Sequence, residues 1–559
     1  MLCANAFITP ARSSPFILFF EDALHARNEV PILSDLIFAG LAIVLMIEIT
    51  RRVAGYVIPI LAVGFLGYAL GLGNYLSGLW KFPGVTLERM LYRMYFAPDG
   101  IFGKIATISS TYVFLFVLFA AFLLQSGAGN FIIRLSLALM GRLTGGPAKM
   151  AVFASGLMGS ISGSAVANTV GTGSITIPLM KKVGLKPQFA GGVEAAASTG
   201  GQLLPPIMGA GAFIMSQWTQ IPYLTIVGVA TIPALMYFLT IAFFIHLRAK
   251  KQRLEILPRE EMPAIGQVFK EGWNFIIPIA VLIALLLKGY TPTYAACAGI
   301  LAIVVSSWIN PYTRMGIRDI LDALAKGAGN MVTTGVILLC SGIVVGIVLM
   351  VGAGMKFSML ITSIAGGSLF VTIVLVALAS LILGMGLPVT ASYIVLAVLA
   401  APSMSMLGTS VLAAHMLIFW FSQDANVTPP VCLAAYAASG VAGSKPLATG
   451  FESWKLAKGL YIIPLLFVYS PLLFQGPTWA VLETAVLGTL GLYCAAAFFE
   501  GFHLFDLSWF MRLIMLGAGG LMLWPELSLH GLGVIVFVLA SGIQLFLKRR
   551  HENFIALAP

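Results

Sequence analysis

Apolar runs close to the ~20 residues that cross a bilayer as a helix recur along this chain, separated by short polar loops. The pattern predicts thirteen crossings, at residues 30–49, 54–73, 105–126, 186–216, 222–247, 273–289, 292–309, 327–351, 410–440, 458–475, 479–499, 512–525 and 529–547. Two further apolar segments, around 150–180 and 370–402, are interrupted in the middle, the first by Gly and Ser and the second by Gly and Pro. Backbone freed by such a break persists at membrane depth only where protein or a wet cavity surrounds it. Both segments therefore read as re-entrant hairpins, and the expected fold is an all-α polytopic membrane protein.

The punctuation of this apolar sequence repeats. Across 159–206 and 383–430, small, polar and proline residues recur at a constant offset of 224: Pro178 with Pro402, Gly184 with Gly408, Ser198 with Ser422, and Pro205-Pro206 with Pro429-Pro430. Five predicted crossings separate the two hairpins, and an odd number turns the second copy over, giving an inverted repeat. Weak internal symmetry with helix-breaking segments at matching positions points to a transporter whose substrate and ion sites lie at the breaks.

Charge sets an orientation. Only 9% of the 559 residues are charged, against 59% hydrophobic. With the C-terminal Lys548-Arg549-Arg550 in the cytoplasm, 24 of the 32 Lys and Arg fall on that side, among them Arg51, Arg52, Lys149, Lys181, Lys182, Arg248 and Lys445. Such an excess is expected of cytoplasmic loops. The net charge of +11 then reflects orientation and contact with anionic lipid and calls for no nucleic acid. The first hairpin, flanked by Lys149 and Lys181-Lys182, opens to the cytoplasm, and the second opens outside. Cys3, Cys297, Cys340, Cys432 and Cys494 show no metal or redox spacing, and four of them read as fillers of apolar helices. The first thirty residues lack the features of a signal peptide.

The chemistry concentrates at the breaks. Hairpin 1 reads Gly-Ser-Ile-Ser-Gly-Ser-Ala-Val-Ala-Asn over 159–168, and hairpin 2 reads Gly-Met-Gly-Leu-Pro-Val-Thr-Ala-Ser over 384–392. Freed carbonyls suit a cation, whereas the start of the second half-helix presents N–H groups to an anion. Pro388 fits the first turn of a restarting helix. Small residues also serve close helix packing, but two matched breaks favour a site. Each proline pair removes two donors and unwinds the turn before it, so Ser198 to Gln202 and Ser422 to Thr428 should face the hairpin tip of their own copy. The expected anion-facing set is Ser162, Gly163, Ser164, Asn168, Gly386, Pro388 and Thr390. Hard oxygen ligands suit Na⁺, and the expected cation set is Ser160, Ser198, Thr199, Gly200, Gly384, Ser392, Ser422, Asp424, Asn426 and Thr428. Asp424 is the one acid deep in this region and is expected to meet a cation or proton. Glu194 reads as either a coupling residue or a hydrogen-bonded structural one, and Glu483 as snorkelling from the end of its helix. With no Lys or Arg in either break, an anionic substrate depends on helix starts, hydroxyls and co-bound Na⁺.

These segments, with Gly127-Ala128-Gly129-Asn130-Phe131, Gly145-Gly146-Pro147-Ala148-Lys149 and Ile177-Pro178-Leu179-Met180-Lys181, resemble the large membrane subunit of tripartite ATP-independent periplasmic (TRAP) transporters. The likeness is closest to the fused, TAXI-associated type and covers about 30–475. It implies a Na⁺-driven importer of organic carboxylates in a bacterial inner membrane, supplied by a periplasmic TAXI-type binding protein. It also implies an elevator, with the amphipathic stretches 127–143 and 353–366 as arms. The domains expected on this basis are an incomplete small-subunit-like region with a connector (1–104), the first repeat (105–260), the second repeat (261–475) and extra C-terminal helices (476–559). Only two crossings precede residue 100, where the fused type carries four.

Three other readings stay open. A carboxylate symporter coupled to Na⁺ or H⁺ would work without the binding protein. An intramembrane enzyme would use the buried serines, although no Gly-x-Ser-x-Gly, His-Glu-x-x-His or phosphate-loop pattern occurs, and His246 and His415 read as packed or interfacial. A cation channel would also use broken helices, but through one axial pore.

Overall fold

The computed structural model describes residues 30–556, and nine helices among them are long and apolar enough to cross a membrane. Eight coincide with predicted crossings, and the ninth, Val389–Met406, is a limb of the second hairpin. The other five predicted crossings are short or broken. Val57–Leu70 ends at Gly71, where Gly73, Gly78 and Pro83 prevent continuation, and gives way to two 3₁₀ turns. Gly459–Tyr469 and Trp509–Leu523 are also short. Segments 186–216 and 410–440 each consist of helices on either side of an unwound stretch. Outward faces are apolar: Leu301, Val486 and Phe546 are about two-thirds exposed, at 67%, 66% and 66%, where a water-facing helix would be polar. The chain is a multi-pass membrane protein. The absence of a signal peptide and the reading of Cys3 lie outside the described residues, as do the side chains of Arg549 and Arg550.

Both interrupted segments are helix-turn-helix pairs, Gly146–Ser162 with Ala165–Lys182 and Leu369–Gly384 with Val389–Met406. The first turn is tighter than its Gly-Ser run suggests. Gly159 to Ser162 stay helical, and the chain reverses at Gly163, left-handed at φ 65°, where glycine adds no strain. Ser164 caps the next limb, its Oγ accepting from the Ala167 N–H at 3.3 Å. Lys181 and Lys182 close that limb where cations favour the helix dipole. The second turn uses Gly386, at φ 121°. Pro388 caps the restarting helix from outside, because its ψ of 149° is extended, so the first turn begins one residue later than expected.

The two copies interlock. Each broken helix places its second half, Ala210–Thr219 or Leu433–Ala442, against a hairpin limb of the other copy. Ala128–Met140 and Ala353–Ile364, on the predicted amphipathic stretches, pack along Gly146–Ser162 and Val389–Met406. A separate apolar cluster joins Ile43, Ile58 and Met94 of the N-terminal helices to Ile343 and Ile347 of Ile317–Met350 and to Leu387 and Val395 of hairpin 2.

The C-terminal helices Thr478–Glu500, Trp509–Leu523 and Leu527–Ala556 pack in sequence and dock on Tyr223–Lys251. The buried Glu500 carboxylate pairs with Arg248 and Lys455, and Lys251 Nζ donates to the Glu500 carbonyl at 2.9 Å. Glu483 is half-buried, its Oε1 3.0 Å from His530 Nδ1. His415 pairs with the Tyr393 hydroxyl at 2.9 Å and His246 with Lys149 Nζ at 3.2 Å. Cys340, Cys432 and Cys494 are buried, whereas Cys297 lies on the surface rather than filling a core, and Cys432 caps a helix rather than sitting within one.

Candidate functional site

Hairpin 1 is tied to its broken helix by a buried acid. Glu194, on Pro187–Gly201, has no exposed surface. Its carboxylate accepts from Ser155 Oγ on one hairpin limb, from Thr172 and Thr176 Oγ1 on the other, and from Ser198 Oγ one turn along its own helix. Its hydrogen bonds join three helices. Replacing Glu194 with alanine is expected to lower the melting temperature sharply, since each hydroxyl left without an acceptor costs roughly 1–3 kcal/mol. Glutamine, which keeps an acceptor oxygen, should recover most of the loss. A melting curve of the solubilised protein for both variants checks this, and equal stability would show the hydroxyls to be satisfied elsewhere.

The turn before the first proline pair is not unwound as expected: Pro187–Gly201 stays helical to Gly201, the chain breaks from Gln202 onward, and the end of this helix grips the tip. Asn168 Nδ2 donates to the Ser155 carbonyl at 2.8 Å and to Ser198 Oγ at 3.1 Å, and Gln202 Nε2 donates to the Gly163 carbonyl at 2.8 Å. Contact is close because both partners are glycine: a Cβ on Gly159 would sit 2.8 Å from Gly201 Cα. Four buried oxygens remain without a partner here: Ser162 Oγ, Asn168 Oδ1, Thr169 Oγ1 and Gln202 Oε1.

Hairpin 2 meets the short helix Asp424–Val427 of its own copy, helical where an unwound turn was expected, at Gly384, where a Cβ would lie 3.1 Å from Ala425 Cβ and 3.3 Å from Asp424 Oδ1. The buried atoms without a partner are Ser380 Oγ, Ser392 Oγ, both side-chain polar atoms of Gln423, Asp424 Oδ1 and Asn426 Nδ2. Two of these groups match hairpin 1 across the offset of 224: Asn168 with Ser392, and Gln202 with Asn426. Buried polar atoms normally find partners, so a matched set that does not is where a ligand fits. Hydroxyl, amide and carboxylate oxygens are the donor type that hard cations take, and the residues at both hairpins therefore fit Na⁺. Both proline pairs, Pro205-Pro206 and Pro429-Pro430, have a cis bond.

The two tips share one cavity of about 330 Å³. Ser162, Gly163, Ser164, Pro388 and Thr390 of the expected anion-facing set line it, and Val113, Phe116, Thr333, Thr334 and Ile337 form an opposite wall outside the hairpins. Val113 belongs to a single π-helical turn, Ser109–Val113, within the span Lys104–Gln125. Asn168 and Gly386 do not line the cavity. Asn168 sits between the hairpin limbs, and Gly386 packs against Val57, whose Cγ2 would lie 2.6 Å from an added Cβ.

The expected cation set divides. Asn426 faces the shared cavity, whereas Asp424 and Thr428 line a second one of about 470 Å³, between Leu369–Gly384 and the helices carrying Phe451 and Tyr461. Thr428 Oγ1 bonds the Tyr461 hydroxyl. Ser198 and Ser392 stay near the hairpin breaks. The hydroxyls of Ser160, Thr199 and Ser422 donate to Leu157, Ala195 and Ile418 carbonyls of their own helices. Gly200 is a packing position, since a Cβ there would come within 2.2 Å of the Tyr237 ring. Thr169, Ser380, Thr333 and Thr334 were not anticipated, and Gln202 and Gln423 lay in the segments expected at the tips but outside the expected ligand sets. The repeat offset pairs Gln202 with Asn426 and had the means to find it. Nothing in the pattern singled out Thr333 or Thr334, which sit in an ordinary apolar crossing.

The family model "Tripartite ATP-independent periplasmic transporter, DctM component" matches residues 41–473. Among similar proteins are the C4-dicarboxylate TRAP transporter large permease protein DctM of Pseudomonas aeruginosa, 26% identical over 64% of this chain and 84% of its own length, and the 2,3-diketo-L-gulonate TRAP transporter large permease protein YiaN of Escherichia coli, 25% identical over 64% and 83%. The ectoine/5-hydroxyectoine TRAP transporter large permease protein UehC of Ruegeria pomeroyi is 25% identical over 55% of this chain and 64% of its own. These relatives are transporters and not enzymes. With paired hairpins, paired broken helices and a match over most of its length, the chain belongs to the DctM family of TRAP transporter large permeases.

Proposed function

We propose that this chain is the permease of a secondary transporter that imports an organic carboxylate across a bacterial inner membrane, driven by a Na⁺ gradient and supplied by a periplasmic binding protein of the TAXI type. The observation that carries the reading is the single cavity under both hairpin tips, backed at each hairpin by buried oxygens without partners. A carboxylate in that cavity faces the N–H groups opening Ala165–Lys182 and Val389–Met406, with Ser164 and Thr390 hydroxyls beside them. Asn168, Ser198 and Gln202 would hold one Na⁺, and Ser392 and Asp424 a second, each supplying positive charge to a site without fixed cations. Without a nucleotide-binding motif, the drive comes from gradients; each elementary charge crossing 100 mV contributes about 2.3 kcal/mol. An elevator is supported by the two-sided cavity, whose hairpin side faces a wall from other helices, and by the amphipathic helices on both hairpins. The Lys and Arg bias supports a cytoplasmic C-terminus, and the three helices after residue 477 support the fused type.

Uptake of labelled carboxylates into proteoliposomes, under an inward Na⁺ or H⁺ gradient and with or without the binding protein, tests the reading. Accumulation should need Na⁺ and the binding protein together. Accumulation without the protein would make this a stand-alone symporter, and a requirement for H⁺ in place of Na⁺ would overturn the ion assignment.

A further inference from the structure

The cavity beneath the hairpin tips continues along two helices, Ala165–Lys182 from Val166 onward and Ile317–Met350 from Thr333 back to its start. At 100° per residue the first half of Ile317–Met350 has three sides. Ala323 and Gly327 are buried, and a Cβ on Gly327 would meet Leu118 Cδ1 at 2.6 Å, so this side packs on the span Lys104–Gln125. Ile317, Leu321, Leu324 and Val332 are exposed and apolar, as a lipid-facing side is. Asp322, Lys326, Asn330 and Thr333 form a third side, within about 80° of one another, that is exposed although it is polar. Polar residues at membrane depth do not face lipid unpaired but line a water-filled cavity. Ala165–Lys182 likewise leaves Ala167, Gly171, Ser174 and Pro178 exposed on one side, small residues that leave room for water. Val166 and Thr333 are exposed and both line the cavity, so the two sides bound one wet cleft that begins at the tips.

We infer that the polar side of Ile317–Met350 is the track by which the substrate anion leaves for the cytoplasm, passing from Thr333 to Asn330 and Lys326. This rests on the carboxylate-import reading above and its orientation. No Lys, Arg or His lines the cavity itself. An anion held there by helix starts and hydroxyls meets the first fixed cation on this side of the helix at Lys326, about 10 Å along the axis from Thr333 at 1.5 Å per residue. Lys326 Nζ donates to Gln125 Oε1 at 2.7 Å, a neutral partner. Asp322 stands four residues nearer the start of the helix, the spacing at which opposite charges meet, and offers the ammonium a replacement partner once the anion has gone. The cation therefore draws the anion out of the cavity without retaining it.

The first test needs no identified substrate. Asn330→Cys and Val332→Cys, on the polar and the lipid-facing side, are treated in inverted membrane vesicles with two membrane-impermeant methanethiosulfonates, the anionic sulfonatoethyl and the cationic trimethylammonioethyl reagent, with the unsubstituted chain as blank. Asn330→Cys should react at least tenfold faster than Val332→Cys. Adding Lys326→Gln should lower its ratio of anionic to cationic rates at least threefold, and Lys326→Arg should keep it. Equal rates at the two positions overturn the cleft, and an unchanged ratio overturns the role of Lys326. Uptake of labelled succinate, pyruvate and hexanoate, under the gradients and with the binding protein described above, then separates release from binding. Lys326→Glu should slow uptake at least fivefold while each acid raises the melting temperature as it does in the wild type. Undiminished uptake in a variant that melts normally overturns the release track and leaves the carboxylate reading intact. Wild-type uptake of none of the acids, with the reagent rates as expected, overturns the carboxylate reading and the release role together.

Discussion

Changing Gly201 to alanine is expected to abolish Na⁺-dependent binding and uptake while the protein still inserts and folds. The added Cβ would lie 2.5 Å from Gly159 Cα, 2.8 Å from Gly159 C and 3.2 Å from the Ser155 carbonyl oxygen. All three are backbone atoms and cannot rotate away. Overpacking of this kind costs about 1–3 kcal/mol, and the contact it forces open is the one that seats hairpin 1 on the end of Pro187–Gly201. Asn168 to Ser198 and Gln202 to the Gly163 carbonyl, at 3.1 and 2.8 Å, would both lengthen, which separates the oxygens assigned to the first cation and turns the tip away from the shared cavity. Gly171, on the same hairpin with open space around it, is the matched control, and Gly171→Ala should behave as the wild type. The comparison is read by Na⁺ titration of the melting temperature and by uptake. If the two variants are indistinguishable, the glycine contact is not part of the site.

For Asp424→Asn the expected signs are opposite with and without Na⁺. Asp424 is 3% exposed with Oδ1 lacking a partner, and insertion scales charge an aspartate at a helix centre roughly 2.5–3.5 kcal/mol. Without Na⁺ that burden is uncompensated, so the asparagine variant should melt higher than the wild type. With saturating Na⁺ the wild type gains the binding energy of the cation and the variant does not, so the order reverses. The Na⁺ concentration for half-maximal stabilisation should rise at least tenfold in the variant. Equal Na⁺ responses would remove Asp424 from the cation site, and a lower melting point without Na⁺ would assign it a structural hydrogen bond instead.

Both variants sit where local pattern and three-dimensional packing divide the work. The hairpins, the broken helices and their pairing at an offset of 224 were legible because a helix interrupted at membrane depth needs glycine, proline and small polar residues, which stand out in apolar sequence. The same logic located Ser162 to Ser164 and Pro388 to Thr390 at the tips. It overread the length of the first break, since Gly159 serves close approach to Gly201, not a turn, and sequence does not distinguish the two uses of glycine. It overcounted continuous crossings, since Val57–Leu70 and Gly459–Tyr469 are apolar enough but too short, and helix ends depend on packing and local turn chemistry.

What the sequence determined alone was the membrane class, the family and which short segments interrupt the helices, all properties of composition and local spacing. Only the tertiary structure decided that two distant tips share one cavity, that Asn426 faces it while Asp424 and Thr428 face another, and that Thr333 and Thr334 form the opposite wall. It also turned Glu194 into the acceptor for hydroxyls on three helices. Those facts depend on which side of a helix meets which neighbour. A rotation of 100° per residue sends adjacent positions to different surroundings, and residues far apart in the chain meet only where helices cross.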